Sequence, residues 1–182
     1  MVNAPLIAHP QFIEQYTKFV FAIRQPTIDD AEWITRACQD ADIQRWTLVP
    51  RPYKRDHALG FIDNTIAETY RWVIEQQETK EAVGVVGIHT INPDTGNADT
   101  GYWIAPWGRR RGAATSALLL VEQFALTIPS IKFLSAHIAE TNVASRATAS
   151  SAGFINIGGT HEPCPDGESL VPALTYIKHL TR

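Results

Sequence analysis

Arg109-Arg110-Arg111-Gly112-Ala113-Ala114-Thr115 sets three cations, a glycine, two alanines and a hydroxyl in seven consecutive positions. The chemistry this suits is the binding of phosphate. Gly112 and the two alanines are small where a ligand's oxygens must touch the backbone. The run follows an apolar stretch that includes Tyr102, Trp103 and Ile104. It precedes a second one containing Ala117, Leu118, Leu120, Val121 and Phe124. A strand that empties through such a turn into a helix aims several N–H groups at one place, with the positive end of the helix behind them. A solvated surface turn could carry the same arginines. It would have no need of a following helix that is apolar nearly all round and so anchored in a core.

The elements that must hold this turn can be read from periodicity and turn chemistry. Residues 19–24 form an apolar strand. A helix begins at Thr27 with Asp30 as its capping-box partner, and carries Ala31, Ile34, Thr35 and Cys38 inward. A loop with Trp46, Pro50, Pro52 and Tyr53 follows, then a helix over 54–66. Residues 69–75 alternate, with Tyr70, Trp72 and Ile74 opposite Arg71 and Val73. A strand over 82–91 meets the turn Asn92-Pro93-Asp94-Thr95-Gly96-Asn97, and the strand 98–105 leads into the basic run and a helix over 113–126. Residues 131–138 form a strand and 142–151 a helix that Gly153 ends with a positive φ. The strands 154–157 and 170–179 complete the chain. An antiparallel meander followed by strand–helix–strand units implies a mixed α/β sheet.

With 182 residues and 45% hydrophobic content, the chain predicts one domain over 1–182, residues 1–18 being an N-terminal extension. Net charge is −3, so bulk electrostatics lend no support to a nucleic-acid partner, and the arginine run is a local device. Cys38 and Cys164 lack metal-type spacing and read as reduced thiols of a cytoplasmic protein, with no metal expected. No charged segment followed by an apolar one opens the chain, and no apolar run is long enough for a membrane span. Neither a secretory leader nor a membrane association is expected.

Motif and element order together resemble the GNAT acyltransferase superfamily. Its pyrophosphate motif, Gln or Arg, two residues, Gly, one residue, then Gly or Ala, is matched by Arg109-Arg110-Arg111-Gly112-Ala113-Ala114. Asn142-Val143-Ala144-Ser145-Arg146 followed by Gly153-Phe154 is similar to the RimJ/RimL-like branch. So are the loop from Trp46 to Tyr53 and Gly101-Tyr102-Trp103. The resemblance covers residues 23–176. It implies a mixed, mostly antiparallel sheet of six to seven strands flanked by about four helices, with the fourth and fifth strands splayed to form a cofactor cleft. Acetyl-CoA is the implied donor, its pyrophosphate on the backbone from Arg109 to Ala114 with Thr115 in contact. Its pantetheine arm would lie along Trp103 and Ile104 and be held by Asn142. An N–H near Ile104 would polarise the thioester carbonyl. The branch also implies a homodimer, although nothing in the sequence marks an interface.

The reaction so implied is attack of a neutral amine on a thioester. Freeing the lone pair of a lysine-like amine at pH 7 costs roughly 4–5 kcal/mol, and that of an α-amine about 1 kcal/mol. The resemblance makes Asp99 the first candidate for the base, against the alternative of a strand-end acid facing water. His89 on the preceding strand is the second, against a packed side chain. Many relatives supply a Tyr to protonate the departing thiolate, but the matching position here is Ala149. Ser145 replaces it, either as a hydrogen-bond donor to sulfur or as a helix residue bonding back to the previous turn. Glu140 reads as a helix-start cap.

The acceptor end draws on Trp46, Tyr53, Phe61, Trp72, His161, Glu162, Asp166 and Glu168, with Asp99 beneath. Aromatic walls with acids suit a small cationic amine such as an aminoglycoside-type antibiotic, which would make this a resistance enzyme. The alternative reading leaves the tryptophans in the core and the acids on a solvated loop. The other acceptor is the N-terminal α-amine of a ribosomal or other protein. A non-catalytic sensor of acetyl-CoA is the contrasting class.

Overall fold

The computed structural model describes residues 20–63 and 70–181. Its strands are β1 (Phe21–Arg24), β2 (Tyr70–Gln76), β3 (Ala82–Asn92), β4 (Asn97–Ile104), β5 (Phe133–Ala139), β6 (Ile155–Asp166) and β7 (Ser169–His179). They form one sheet in the order β1-β2-β3-β4-β5-β7-β6. Among the described residues five α-helices accompany them: α1 (Ala31–Ala37), α2 (Ala41–Trp46), α3 (Arg55–Ile62), α4 (Ala113–Leu126) and α5 (Val143–Ser151). All pairings are antiparallel except β4 with β5, which α4 joins as a crossover.

Both faces of the sheet are covered. Leu118 and Val121 of α4 and Ala149 of α5 pack against Val86, Ile88, Leu134 and Tyr176. On the other face Ile34, Ile43 and Ala58 of α1 to α3 meet Val85 and Ala105. Double coverage explains β2, where Arg71, Trp72, Val73 and Ile74 are all buried despite the predicted alternation. Arg71 is accommodated on the α3 side, where it donates to the Phe61 carbonyl and lies 5.1 Å from the Phe61 ring.

The capping box at Thr27 and Asp30 is present, and a single 3-10 turn (Ile28–Asp30) precedes α1. The Asp30 carboxylate accepts from both terminal nitrogens of Arg24 at 2.8 Å and from Trp33 Nε1 at 2.7 Å. Burial pushes this carboxyl up, but Arg24, the Thr27 N–H and Trp33 outweigh it and hold it below its usual value.

Three elements depart from expectation. The segment expected to lead only into a loop contains α2, whose start is made by Asp40, accepting from the N–H groups of Asp42 at 3.1 Å and Ile43 at 3.0 Å. Only Ile43 is buried along this helix, so no apolar period announces it. The helix expected over 54–66 is described as far as α3 runs. Residues 64–69, like 1–19 and 182, lie outside the described residues, as does the expected extension 1–18. The strand expected over 154–157 extends to Asp166 despite Pro163 and Pro165. As the edge strand, with register shifts at Asn156/Gly158 and Thr160/Cys164, β6 tolerates prolines that an interior strand would reject.

Candidate active site

The turn between β4 and α4 has the conformation its sequence suggests. Arg110 at φ +60° and Gly112 at φ +80° both lie in the left-handed region. Gly112 is the N-cap of α4, and no side chain caps this helix. The N–H groups of Ala113, Ala114 and Thr115 therefore open outward at the positive end of a 14-residue helix. A Cβ built on Gly112 would meet nothing within 4 Å, so the space beside it is open.

The three arginines are not equivalent. Arg109 binds Asp40, lies 2.9 Å from Asp42 and donates through Nε to the Ile104 carbonyl at 3.2 Å. Arg111 contacts Glu81 at 3.3 Å and also reaches Gln76. Arg110 alone is exposed without a side-chain partner among the described residues. Local charge had suggested three cations for phosphate, but two of these guanidiniums already hold carboxylates and carbonyls. What remains for an anion is the main-chain N–H group and Arg110.

From this turn the strands lead back to an opening. The β4–β5 pairing runs Asn97↔Phe133, Ala98↔Leu134 and Asp99↔Ser135, and goes no further. Beyond it β4 stays paired to β3 as far as Ile104, and β5 to β7 as far as Ala139, so the two inner edges part. The Ala105 N–H donates to Val83 on β3 at 2.9 Å. By the alternation of an antiparallel ladder, the Ile104 N–H points to the opposite edge, into the opening. The Trp103 side chain turns to the α1 face, its ring 5.8 Å from that of Trp33.

At the fork, Asp99 is the centre of a polar cluster. Its Oδ2 lies 3.3 Å from His89 Nδ1, and its Oδ1 lies 3.6 Å from His137 Nε2 and accepts from Ser135 Oγ at 3.2 Å. Thr175 Oγ1 is 3.4 Å from His137 Nδ1. The carboxylate is 23% exposed, and the His89 and His137 side chains 43% and 29%. A bulge brings His89 here: the β3–β4 register passes from Ile88↔Thr100 to Thr90↔Asp99, leaving His89 as the extra residue. Its ring rests on Gly101, where a Cβ would fall 2.4 Å from Cε1. Cys164 on β6 lies within the field of Asp99 and Glu162; burial first, then these two charges, push its thiol up. Among the described residues no group of His, Cys, Asp and Glu could hold a metal ion.

Two hydroxyls meet across the opening on the other face. Tyr102 OH is 2.9 Å from Ser145 Oγ and 3.3 Å from the Ser145 carbonyl. Asn142 caps α5, its Oδ1 accepting from the Ser145 N–H at 3.0 Å, which leaves its amide nitrogen as the remaining donor.

The residues expected at the acceptor end are divided by the fold. Trp46 sits at the end of α2 with the Arg45 guanidinium 4.3 Å over its ring, and Arg45 reaches Asp166 of β6 at 2.5 Å. Trp46 is thereby tied through Arg45 to β6, the strand that carries Glu162, and Asp99 and Glu162 both act on Cys164 of that strand. Tyr53 and Trp72 do not join them. Tyr53 is 6% exposed and bonded to the Cys38 thiol, and Trp72 is 2% exposed between Tyr70 and Phe124, with the Phe124 ring 4.8 Å away. Both are core residues, because β2 faces α4 at this position and the 53–61 segment packs under α1. His137 and Tyr102 were missed as site residues. The alternation of Ser135 and His137 with Leu134, Ala136 and Ile138 was the available signal.

A family model described as an acetyltransferase (GNAT) domain matches residues 21–155. An uncharacterised N-acetyltransferase of Bacillus subtilis (strain 168), YoaA, is 28% identical over 138 residues, spanning 72% of this chain and 77% of that protein. The microcin C7 self-immunity acetyltransferase MccE, solved with acetyl-CoA and AMP, has a TM-score of 0.76 at 20% identity, over 87% of this chain and 92% of its own. RimL, a ribosomal L7/L12 α-N-protein acetyltransferase solved with coenzyme A, has a TM-score of 0.74 at 18% identity, over 90% and 96%.

Proposed function

This chain belongs to the GNAT family of acetyl-CoA-dependent N-acetyltransferases, and we propose that its acceptor is a small cationic amine of the aminoglycoside type, which would make it a resistance enzyme. The observation that carries this reading is the cluster of Asp99, His89 and His137 at the fork of β4 and β5. A carboxylate with an imidazole at 3.3 Å suits taking a proton from an ammonium group. Asp99 with Glu162 also supplies negative charge for a cation. Asp166 adds none, since Arg45 neutralises it.

In this reading the donor's pyrophosphate binds the N–H groups from Gly112 to Thr115, assisted by Arg110. The thioester carbonyl accepts from the Ile104 N–H, which polarises it and stabilises the oxyanion formed on attack. Asp99, backed by His89, accepts the amine proton, and Ser145 donates to the departing sulfur. Asn142 holds the pantetheine arm through its amide nitrogen, and Trp103 and Trp46 wall the acceptor side. MccE, a self-immunity enzyme solved with a nucleotide, is a fold neighbour consistent with a small acceptor.

The second reading, acetylation of a protein α-amine, is favoured by the likeness to RimL. Thiol release from acetyl-CoA with kanamycin, spermidine and short peptides bearing free α-amines tests both. Turnover with kanamycin or spermidine, and reduced drug susceptibility of cells expressing the chain, supports the first. Turnover with peptides only, with one acetyl added to a ribosomal protein by mass spectrometry, supports the second. Tight acetyl-CoA binding with no turnover would leave a sensor.

A further inference from the structure

We propose that Tyr102 is a positioning residue that supplies, through Ser145, the proton received by the departing thiolate. The inference rests on the acetyl-CoA reading above and adds to it a residue on β4.

Ser145 by itself is a weak proton source, and Ala149, buried against the sheet, offers none. Tyr102 answers the deficit from the opposite wall. Its phenol crosses from β4 to the first turn of α5 and meets Ser145 Oγ at 2.9 Å, at the opening where β4 and β5 have ceased to pair. An arm running from the start of α4 into this opening passes between those two walls.

Strand geometry separates the two proton transfers. Asp99 and Tyr102 are three residues apart on β4, so their side chains point to opposite faces. Asp99 lies with His89 on the α1–α3 face, and Tyr102 with Ser145 on the α4–α5 face. A proton can leave the amine on one side of the thioester while another arrives at sulfur on the other.

The step balances. The C–S bond breaks and its electron pair goes to sulfur. Ser145 Oγ–H gives its proton to sulfur, the Tyr102 hydroxyl gives its proton to Ser145 Oγ, and the phenolate is reprotonated from water. The ammonium loses two protons on becoming an amide, one before attack and one, taken up at Asp99, as the tetrahedral adduct collapses. Both return to solvent, water replaces the one that Tyr102 and Ser145 pass to the thiol, and one proton is released overall.

The phenol is held ready. Burial raises its pKa, against hydrogen bonds from Ser145 and Thr148 that lower it, and no ionised side chain acts on it. It therefore stays protonated beyond neutrality. The reference values are about 10 for a phenol and about 8.5 for a thiol, and burial widens that gap. The proton therefore passes only as negative charge builds on the sulfur, and the phenolate is at once reprotonated.

The test uses coenzyme A and its desulfo analogue, and needs no acceptor. If Tyr102 and Ser145 donate to sulfur, they stabilise the bound thiolate and lower the thiol's pKa. Calorimetry from about pH 7 to about pH 9.5 should then show coenzyme A tightening relative to desulfo-coenzyme A, roughly tenfold per unit of lowering. Tyr102→Phe keeps the ring in place and should bind both ligands at neutral pH within about twofold of wild type, while losing most of the alkaline gain. Ser145→Ala, which leaves the phenol intact, must lose the same gain, and the double variant no more than either. A full gain in either variant, or no gain in wild type, overturns the proposal. Failure of wild type to bind either ligand instead removes the acetyl-CoA reading and the proposal with it.

Discussion

The Arg109 guanidinium lies 2.9 Å from the Asp42 carboxylate, and it also binds Asp40. The turn before α4 is thereby fastened to the first turn of α2. The far end of α2 is fastened in turn to the β6–β7 hairpin, through Arg45 to Asp166 and through the Gly167 N–H to the Arg45 carbonyl at 2.8 Å. One six-residue helix bridges the donor turn and the acceptor wall. Asp40→Ala removes the cap of that helix and an anchor of the turn together. It should cost about 1–2 kcal/mol in denaturant unfolding, and acetyl-CoA should bind more weakly by calorimetry. Unchanged affinity would show that the turn keeps its shape without α2.

At Gly112 the obstacle to a side chain is conformational rather than steric, since a Cβ there meets open space. Gly112→Val should cost about 1–2 kcal/mol for the left-handed φ, leave the fold intact and fill the volume beside the N–H groups of α4. Acetyl-CoA affinity should fall by about tenfold or more. Retained affinity would place the pyrophosphate elsewhere.

Asp99→Asn keeps the shape of the fork and removes its charge. With the acceptor found in the amine panel, kcat/KM should fall by about 10²–10⁴ while acetyl-CoA affinity holds. His137→Gln should fall less, because Asp99 and His89 remain 3.3 Å apart. A loss in His137→Gln as large as in Asp99→Asn would make His137 the principal base.

Asp30 and Asp40 set an acid limit on stability. Burial pushes Asp40 up, but Arg109 and the N–H groups of Ile43 and Asp42 outweigh it and hold it low; Asp30 is held low in the same way. Because each folded value lies below the ordinary 3.8, each carboxylate's stabilisation is fully present above 3.8 and lost as pH falls through the lowered value. Denaturant midpoints should decline below about pH 4. Asp30→Asn should be less stable at neutral pH and flatten that decline, and an undiminished slope would assign it to other groups.

Trp72→Ala should be a stability variant, costing about 3–5 kcal/mol because the indole fills space between Tyr70 and Phe124. Trp46→Ala should leave stability nearly unchanged and raise KM for the acceptor. The opposite pattern would reverse their assignments to core and acceptor wall.

What was legible in the sequence was local. The basic turn, the long apolar helix and the capping box at Thr27 are each specified within a few residues. What was not legible depended on partners far along the chain. Asp40 and Asp42 are nearly seventy residues from Arg109, so its commitment could not be read from the arginine run. His137 meets Asp99 only because β4 and β5 pair in parallel across α4. Composition could not separate Trp46 from Trp72, since which face of a strand or helix lies under another element is decided by tertiary packing. Short α2 carries one buried apolar residue and no period to recognise.

The extra residue at His89 gives β3 two reading frames. From Gly84, past a separate register shift against β2 at Val83, the even-numbered Val86 and Ile88 meet the α4 side as far as His89; after it, the odd-numbered Ile91 does. A single insertion has thus turned the strand's parity over midway without turning any apolar side chain outward. The imidazole can be exchanged for another side chain and both frames survive. Excising the position would force one half of β3 inside out, so the site and the core share a single count of residues.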